Sequence, residues 1–309
     1  MSVLALIVQE VMVPFFLLAG LGAFLQRRFR LDMGTLSKVL NIYLLPAVCF
    51  VKLYDSSIDA ALAGATIGFW LLLNATVSVL SAAAVKAVRV GKEDADVVQN
   101  SFILSNQGNY GLPVSELVFA QHPLGVSVQV IISVIQNVFT YTFGTFRMIP
   151  GKGKQLAAAL AVHTVRLPVI YAMLGAAALR MLDVRIPAIL WEPVEGVSDA
   201  FFAIALLTLG AQLANVQAVS LGRSVLLGTI GRLLLAPAVA FALIRGFGWD
   251  GVFAQALFMA SAYPVSRNSS LIALEYGRSP ELAAQLVAVT TAISCITVTA
   301  VISLAQHIW

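Results

Sequence analysis

The sequence has 309 residues, of which 60% are hydrophobic and 11% charged, and its formal net charge is +4. A soluble globular protein carries about a quarter charged residues, so this composition excludes a soluble globular chain. The basic residues lie in short loops between apolar runs, which argues against a nucleic-acid-binding surface.

Apolar runs long enough to cross about 30 Å of hydrocarbon recur along the whole sequence. Because charged residues and Gly/Pro-rich stretches separate these runs, they predict ten membrane-spanning helices. The predicted segments are residues 4–26, 36–54, 61–87, 97–120, 124–147, 156–181, 194–215, 222–246, 250–274 and 282–306. The predicted fold class is an all-α polytopic membrane protein, with residues 1–309 in a single membrane domain.

The distribution of Lys and Arg among the loops predicts an orientation. One side would hold Arg27, Arg28, Arg30, Lys38, Lys86, Arg89, Lys92, Arg147, Lys152, Lys154, Arg223 and Arg278. The other side would hold only Lys52, Arg180, Arg185 and Arg245. Loops rich in Lys and Arg stay in the cytoplasm, so both termini are predicted to lie outside the cell's inner (plasma) membrane. Arg166, Arg232 and Arg267 would lie inside spans or near their ends.

Five spans in each half would give the two halves opposite orientations, at about residues 1–150 and 151–309. Prolines recur at near-equal offsets between the halves. Pro14 and Pro168 are 154 residues apart, and Pro113 and Pro264 are 151 apart. Together with the orientation, these offsets predict two inverted five-helix repeats, an arrangement typical of secondary transporters.

The fourth predicted span contains SNQGNYGLPVSEL, Ser105 to Leu117, which a lipid-facing helix would not tolerate. Its glycines and proline disfavour continuous helix, and its amides can hydrogen-bond the freed backbone or a ligand. Irregular backbone survives at membrane depth only where it is buried in protein or lines a wet cavity. The ninth span carries a similar stretch, SAYPVSRNSS, Ser261 to Ser270. We therefore predict that helices 4 and 9 are broken and cross near the middle of the membrane.

Two broken helices at matching positions of two inverted halves indicate the binding site of a transporter. Half-helix N-termini at such a site present free N–H groups and a positive dipole end, which favour an anion such as a carboxylate. The alternative is that each Gly/Pro cluster only kinks a helix for packing, as is common in membrane helices. The amides and hydroxyls at both clusters favour the binding site.

The same residues resemble the auxin efflux carrier family, which includes plant PIN-type auxin carriers and bacterial organic-acid carriers. The fourth span of that family carries an asparagine seven positions before the proline of a Gly-hydrophobic-Pro motif, as Asn106 precedes Pro113 here. The resemblance covers nearly the full length, through LLPAVCF, VIQNVFTYT, LGAQLA, RLLLAPAVA and YPVSRNSSLIALEYG. It implies a ten-span carrier with a scaffold subdomain and a transport subdomain that contains the mobile crossed helices.

The resemblance also implies a substrate site, because Asn106, Pro113, Gln136 and Pro264 match site positions of the family. With their polar and glycine neighbours, the candidate substrate-binding residues are Asn106, Gly108, Asn109, Gly111, Pro113, Gln136, Pro264, Ser266, Arg267 and Asn268. The predicted function is secondary active transport of a small organic anion, such as a carboxylate, by alternating access of the crossed helices.

Arg267 departs from the family pattern, in which an uncharged residue is expected. A charge at the centre of a membrane helix costs about 2.5–3.5 kcal/mol on insertion and usually faces a cavity or a partner. Arg267 can therefore contact the anion, pair with Glu116, or reach the cytoplasmic surface. Glu116 is also a candidate carrier of a coupled proton. Arg232 is interpreted as an interfacial or scaffold-fixing residue.

The sequence lacks the patterns of an enzyme. GVSVQ and GVSDA lack the second glycine of a nucleophile elbow, and no HExxH or paired Cys/His spacing occurs. No cofactor or metal is predicted, and coupling to H⁺ or Na⁺ stays open. The alternatives are a sodium/bile-acid-like or other cation-coupled carrier, a channel, or a membrane sensor. The predicted partners are the anion and the lipid bilayer, with a homodimer suggested by the fold alone and no nucleic acid.

Overall fold

The computed structural model describes residues 9, 11, 13–56, 58–149, 167–215 and 221–309. These residues are almost entirely helical. The helices are α1 Val13–Phe29, α2 Met33–Tyr54, α3 Ala60–Val88, α4 Lys92–Ile103, α5 Leu112–Val118, α6 Pro123–Met148, α7 Pro168–Met181, α8 Ala188–Ala214, α9 Arg223–Phe247, α10 Gly251–Ser261, α11 Arg267–Glu275 and α12 Pro280–Ile308. Lys152, Lys154, Arg166 and the predicted starts of the first and sixth spans lie outside the described residues.

Six helices of the described ranges are long and apolar enough to cross a membrane: α2, α3, α6, α8, α9 and α12. α7 and α10 are shorter apolar helices. The predicted bounds agree closely where the apolar run is uninterrupted, as for 61–87 against Ala60–Val88. α8 begins six residues before the predicted residue 194, because the helix continues through Pro193. The prediction of an all-α multi-pass membrane protein is confirmed, whereas the ten-span inverted repeat stays a prediction.

Aspartates outside the apolar segments begin three of these helices. The Asp32 carboxylate accepts hydrogen bonds from the amides of Gly34 (2.9 Å) and Thr35 (3.3 Å) at the start of α2. Asp59 and Asp250 cap α3 and α10 in the same way. Hydrogen bonds from the Thr35 hydroxyl and then from the two amides hold the pKa of Asp32 below its ordinary value. These caps satisfy backbone donors that a helix start leaves without partners.

Wide π-helical turns precede three of the prolines. They occupy Val39–Leu44, Gln107–Gly111 and Gly231–Leu235, each ending two residues before a proline, at Pro46, Pro113 and Pro237. A proline ring inside a regular helix clashes with the carbonyl four residues earlier. A wider turn moves that carbonyl away and lets the helix continue. The turn at Gln107–Gly111 contains the candidate residues Gly108, Asn109 and Gly111, in keeping with the frequent occurrence of π-turns at functional sites.

The helices pack as two groups. The four-helix group comprises α1, α2, α7 and α8, and the eight-helix group comprises α3 to α6 and α9 to α12. Close backbone contact joins α1 to α8, because a Cβ on Gly22 would lie 2.0 Å from the Leu207 oxygen and one on Gly210 would lie 1.7 Å from the Ala19 oxygen. Only glycine fits at these two positions.

Candidate functional site

The chain leaves the helical conformation at both predicted interruptions, and the two interruptions pair with each other. Ser105 and Val265 form an antiparallel bridge between the end of α4 and the start of α11. The amide of Asn106 donates to the Pro264 oxygen (2.8 Å), and the amide of Ser266 donates to the Leu104 oxygen (2.7 Å). Helix breaks would otherwise leave these groups unsatisfied in a low-dielectric interior, so the pairing makes both breaks tolerable.

Buried amide side chains satisfy further backbone groups at the pairing. Gln107 Nε2 donates to the Ala260 oxygen (2.8 Å), and Gln129 Nε2 donates to Gln107 Oε1 (2.7 Å). Gln136 Nε2 donates to the Ile103 oxygen (3.1 Å), while Gln136 Oε1 accepts from the Trp70 indole (2.9 Å). The amide of Gln136 is therefore engaged by the protein on both of its atoms.

The predicted glycines and prolines serve different purposes. A Cβ on Gly111 would lie 2.6 Å from Cε2 of Tyr263, so Gly111 permits close packing of the two broken segments. Pro113 and Pro264 are buried beside it. A Cβ on Gly108 would lie 3.9 Å from the Leu45 side chain, an ordinary van der Waals distance, so packing does not require glycine at this position.

A cavity of about 630 Å³ lies between the two helix groups and reaches the paired interruptions. Its lining comprises Met33, Asn106, Leu209, Gln212, Leu213, Asn215, Arg267, Ser270, Glu281, Ala284, Gln285, Val287, Ala288 and Thr291. Met33 begins α2, Asn215 follows α8, and Glu281 lies in the first turn of α12. The cavity thus extends to the helix ends on the side that carries Arg27, Arg28 and Arg278, which we call the basic side.

Three hydrogen-bond donors line this cavity. The side-chain amide of Asn106 makes no hydrogen bond with any described residue. Gln212 Nε2 is buried and lacks a partner within the described ranges. Arg267 Nη1 donates to the Ser37 hydroxyl across the two helix groups, and the guanidinium borders the cavity. An unsatisfied buried donor such as Gln212 Nε2 is uncommon in proteins, and together with Asn106 and Arg267 it marks a surface that can receive an acceptor-rich ligand.

A second, much smaller polar pocket of about 20 Å³ lies beside the first. It is large enough for one water molecule. Asn106 and Arg267 border both pockets, and the small pocket also receives Gly108, Asn109, Gln136, Ser266 and Asn268. The structure therefore divides the predicted substrate residues, with Asn106 and Arg267 on the large cavity and the others at or behind the pairing.

Glu116 does not pair with Arg267. Its Oε1 lies 2.6 Å from Lys52 Nζ, in an ion pair between α5 and α2 with both side chains partly exposed. Of the three alternatives for Arg267, the pairing with Glu116 is contradicted, because Glu116 pairs with Lys52 towards the end of α5 that faces away from the cavity. Arg267 lies on the first turn of α11 and contacts α2 near its start.

Several residues near the site carry no signal in the sequence. Arg232 is interpreted from the sequence as interfacial or scaffold-fixing, and its 2% exposure excludes the interfacial position and agrees with the scaffold-fixing one. Gln212, Glu281 and Gln285 line the cavity but lie within apolar helices, where one polar residue carries no positional signal. Ser270 also lines the cavity, and it lies in the predicted interruption SAYPVSRNSS without being among the candidate residues. A polar residue within LGAQLA was the one available hint, for Gln212.

A comparison with protein families agrees with the transporter-like geometry. No curated protein matches the chain. A family model described as membrane transport protein matches residues 7–302, almost the whole length. This family is a transporter family, and it is the one that the residues around Asn106 and Pro113 resemble. The protein therefore belongs to the membrane transport protein family, that of the auxin efflux carriers.

Proposed function

We propose that the protein is a secondary active carrier of small organic anions, such as carboxylates. The observation that carries this proposal is the 630 Å³ cavity at the paired interruptions, with free donors on Asn106 and Gln212 and the guanidinium of Arg267 on its wall. A carboxylate offers up to four lone-pair positions for such donors, and hydrogen bonds to a charged acceptor are strong. Membership of a transporter family supports the transport step.

The lining favours a small anion with an apolar part. Leu209, Leu213, Val287 and Ala288 provide apolar parts of the cavity wall. Arg267 and Glu281 are the charged residues among the lining that the structure describes. Glu281 lies near the helix ends and Arg267 at the pairing, so the deeper part of the cavity is the more attractive to a negative charge.

The packing supports alternating access. The cavity lies between the four-helix group and the eight-helix group, so movement of one group against the other would close it. We assign the scaffold to the four-helix group and transport to the eight-helix group, which contains both interruptions. The four-helix group contains predicted spans 1, 2, 6 and 7, and the eight-helix group contains predicted spans 3 to 5 and 8 to 10. Each group therefore takes the same positions from both predicted five-span halves. This division is the one that an inverted five-helix repeat would produce.

The basic side carries the cavity, so the positive-inside rule makes this conformation inward-open. We accordingly propose an inner (plasma) membrane protein with both termini outside. Binding of H⁺ or Na⁺ as a coupling ion is left to the measurement below.

The test is transport by the purified protein in proteoliposomes. Uptake and current would be measured for mono- and dicarboxylates and for indole acids, with and without proton or sodium gradients. A carboxylate-dependent signal that Asn106→Ala abolishes and Asn109→Ala retains would support the carrier. Asn109 is the matched control, because it borders the small polar pocket and not the cavity. Currents above carrier rates, or no flux and no ligand-dependent shift in melting, would contradict it.

A further inference from the structure

Arg232 lies where two helices end. It belongs to the π-turn of α9 and is 2% exposed. Its Nη1 donates to the Phe102 oxygen (2.8 Å), and its Nη2 donates to the Ser261 oxygen. Phe102 is the penultimate residue of α4, and Ser261 is the last residue of α10. One guanidinium therefore joins the C-terminal ends of both helices that stop at the interruptions.

A helix C-terminus is an electronegative site. Its last four carbonyls have no partner within the helix, and the end carries the equivalent of about half a negative charge. Two such ends side by side amount to about one negative charge, which matches the single positive charge of Arg232. The guanidinium fork can also donate in two directions at once, which an ammonium group does less well.

Arg232 has no carboxylate partner among the described residues, where the ion pair found joins Lys52 and Glu116. A buried charge without a counter-charge is normally very unfavourable. The electronegative helix ends therefore offset the cost of burying the guanidinium. The guanidinium in turn offsets the cost of placing two helix C-termini side by side.

The backbone near Arg232 is shaped for this contact. A Cβ on Gly231 would lie 2.1 Å from Cζ of Phe102, and one on Gly228 would lie 2.5 Å from the Ser101 hydroxyl. These glycines let α9 approach the end of α4 closely enough for Arg232 to reach both carbonyls.

We propose that Arg232 is a positioning residue: a resident cation that neutralises the ends of α4 and α10 and keeps the two interruptions paired. In many transporters of this general architecture, half-helix C-termini and unwound carbonyls hold a dissociable cation. Here the Phe102 and Ser261 carbonyls are occupied by the protein itself. The part of the proposal that concerns transport rests on the carrier function proposed above.

The first test replaces the resident cation by a free one. Arg232→Ala should lower both the melting temperature and carboxylate uptake, the latter about tenfold or more, because two charge-assisted hydrogen bonds are lost. Millimolar methylguanidinium should restore part of both in Arg232→Ala. Arg223→Ala is the matched control, since Arg223 is exposed at the start of the same helix, and it should not respond. Wild-type protein should melt at the same temperature in sodium, potassium or choline salts.

Melting needs no substrate, so it separates this proposal from the carrier proposal. Rescue of melting without any anion transport would uphold the role of Arg232 and contradict the carrier. Arg232→Ala that melts and transports as wild type, or that no cation rescues, would overturn the role. If Arg232→Ala fails to fold, Arg232→Lys provides the test, because it keeps the positive charge. A folded Arg232→Lys protein with a melting temperature near that of wild type would support the proposal, and an Arg232→Lys protein that also fails to fold would overturn it. Sodium-dependent melting of wild-type protein would also overturn it.

Discussion

The two sides of the paired interruptions differ in how the helix groups meet. On the basic side, a 630 Å³ cavity lies between the groups and is bordered by Asn106 and Arg267. On the opposite side, Lys52 of the four-helix group lies 2.6 Å from Glu116 of the eight-helix group. Nearby, the Tyr54 hydroxyl donates to the Val184 oxygen (2.8 Å) within the four-helix group. The helix groups thus lie apart on the basic side and in contact on the other, which is the asymmetry that the proposed alternating-access carrier would need in each of its states.

Substitution of the hydrogen-bond donors on the open side tests whether the cavity is a binding site. Asn106→Ala should have the largest effect on transport, because the amide lies where the cavity meets the interruptions and is free to bind. A hydrogen bond to a charged group contributes about 1.5–3 kcal/mol, so kcat/KM should fall about 10- to 150-fold. The measurement is carboxylate uptake at low substrate in proteoliposomes.

The fold should survive this substitution, since the pairing uses the backbone amide of Asn106 and not its side chain. Asn109→Ala, which removes an equivalent side chain from the small polar pocket, should keep kcat/KM within about threefold of wild type. If Asn106→Ala takes up the carboxylate as fast as wild type at low substrate concentration, the cavity is not the binding site.

Arg267→Gln should have the next largest effect. It removes the positive charge from the deeper part of the cavity, so anion KM should rise about tenfold and more for dicarboxylates than for monocarboxylates. The KM of each anion would be measured side by side in Arg267→Gln and in Arg223→Gln. The second variant loses the same charge from an exposed position outside the cavity. Equal changes in both variants would mean that Arg267 acts only through the general potential of the basic side.

Gln212→Ala should have a smaller effect. Its buried, unpartnered Nε2 can donate one hydrogen bond to a bound acceptor, and the lower part of the net range for such a bond is about 0.5–1 kcal/mol. We expect an increase in KM of about two- to fivefold with unchanged kcat. Because removal of a buried unsatisfied donor relieves a penalty, the melting temperature should not fall. A fall in melting with unchanged KM would indicate a structural partner instead.

Some of these features can be predicted from the sequence, and others cannot. Span bounds such as Ala60–Val88 follow from uninterrupted hydrophobicity, and the interruptions follow from local Gly and Pro chemistry. The partner of Glu116 is 64 residues away in sequence, and that of Arg232 at Phe102 is 130 residues away. Such pairs depend on how helices pack, which residue patterns along one segment do not encode. The lining of the cavity could not be predicted for the same reason, since residues such as Gln212 and Gln285 come from separate helices.

The closed side provides the last and smallest expected effect. Partly exposed ion pairs contribute about 0.2–1 kcal/mol, so loss of Lys52–Glu116 should shift the balance between states by up to about fivefold. Lys52→Gln and Glu116→Gln should each increase labelling of a cysteine at Ala288 by an impermeant maleimide added from outside. The background would lack Cys49 and Cys295, the free thiols that the structure describes.

The charge-swapped pair, Lys52→Glu with Glu116→Lys, distinguishes an ion pair from two independent side chains. If the ion pair closes the outer side, the double swap should return outside labelling of Ala288→Cys towards the level of the parent. Each single swap should increase this labelling more than the Gln variants do, because two like charges then face each other. Equal labelling in the parent and in all five variants would show that apolar packing alone closes this side. The open and closed sides would then differ in shape but not in charge, and Arg267 would remain the charged residue in the deeper part of the path.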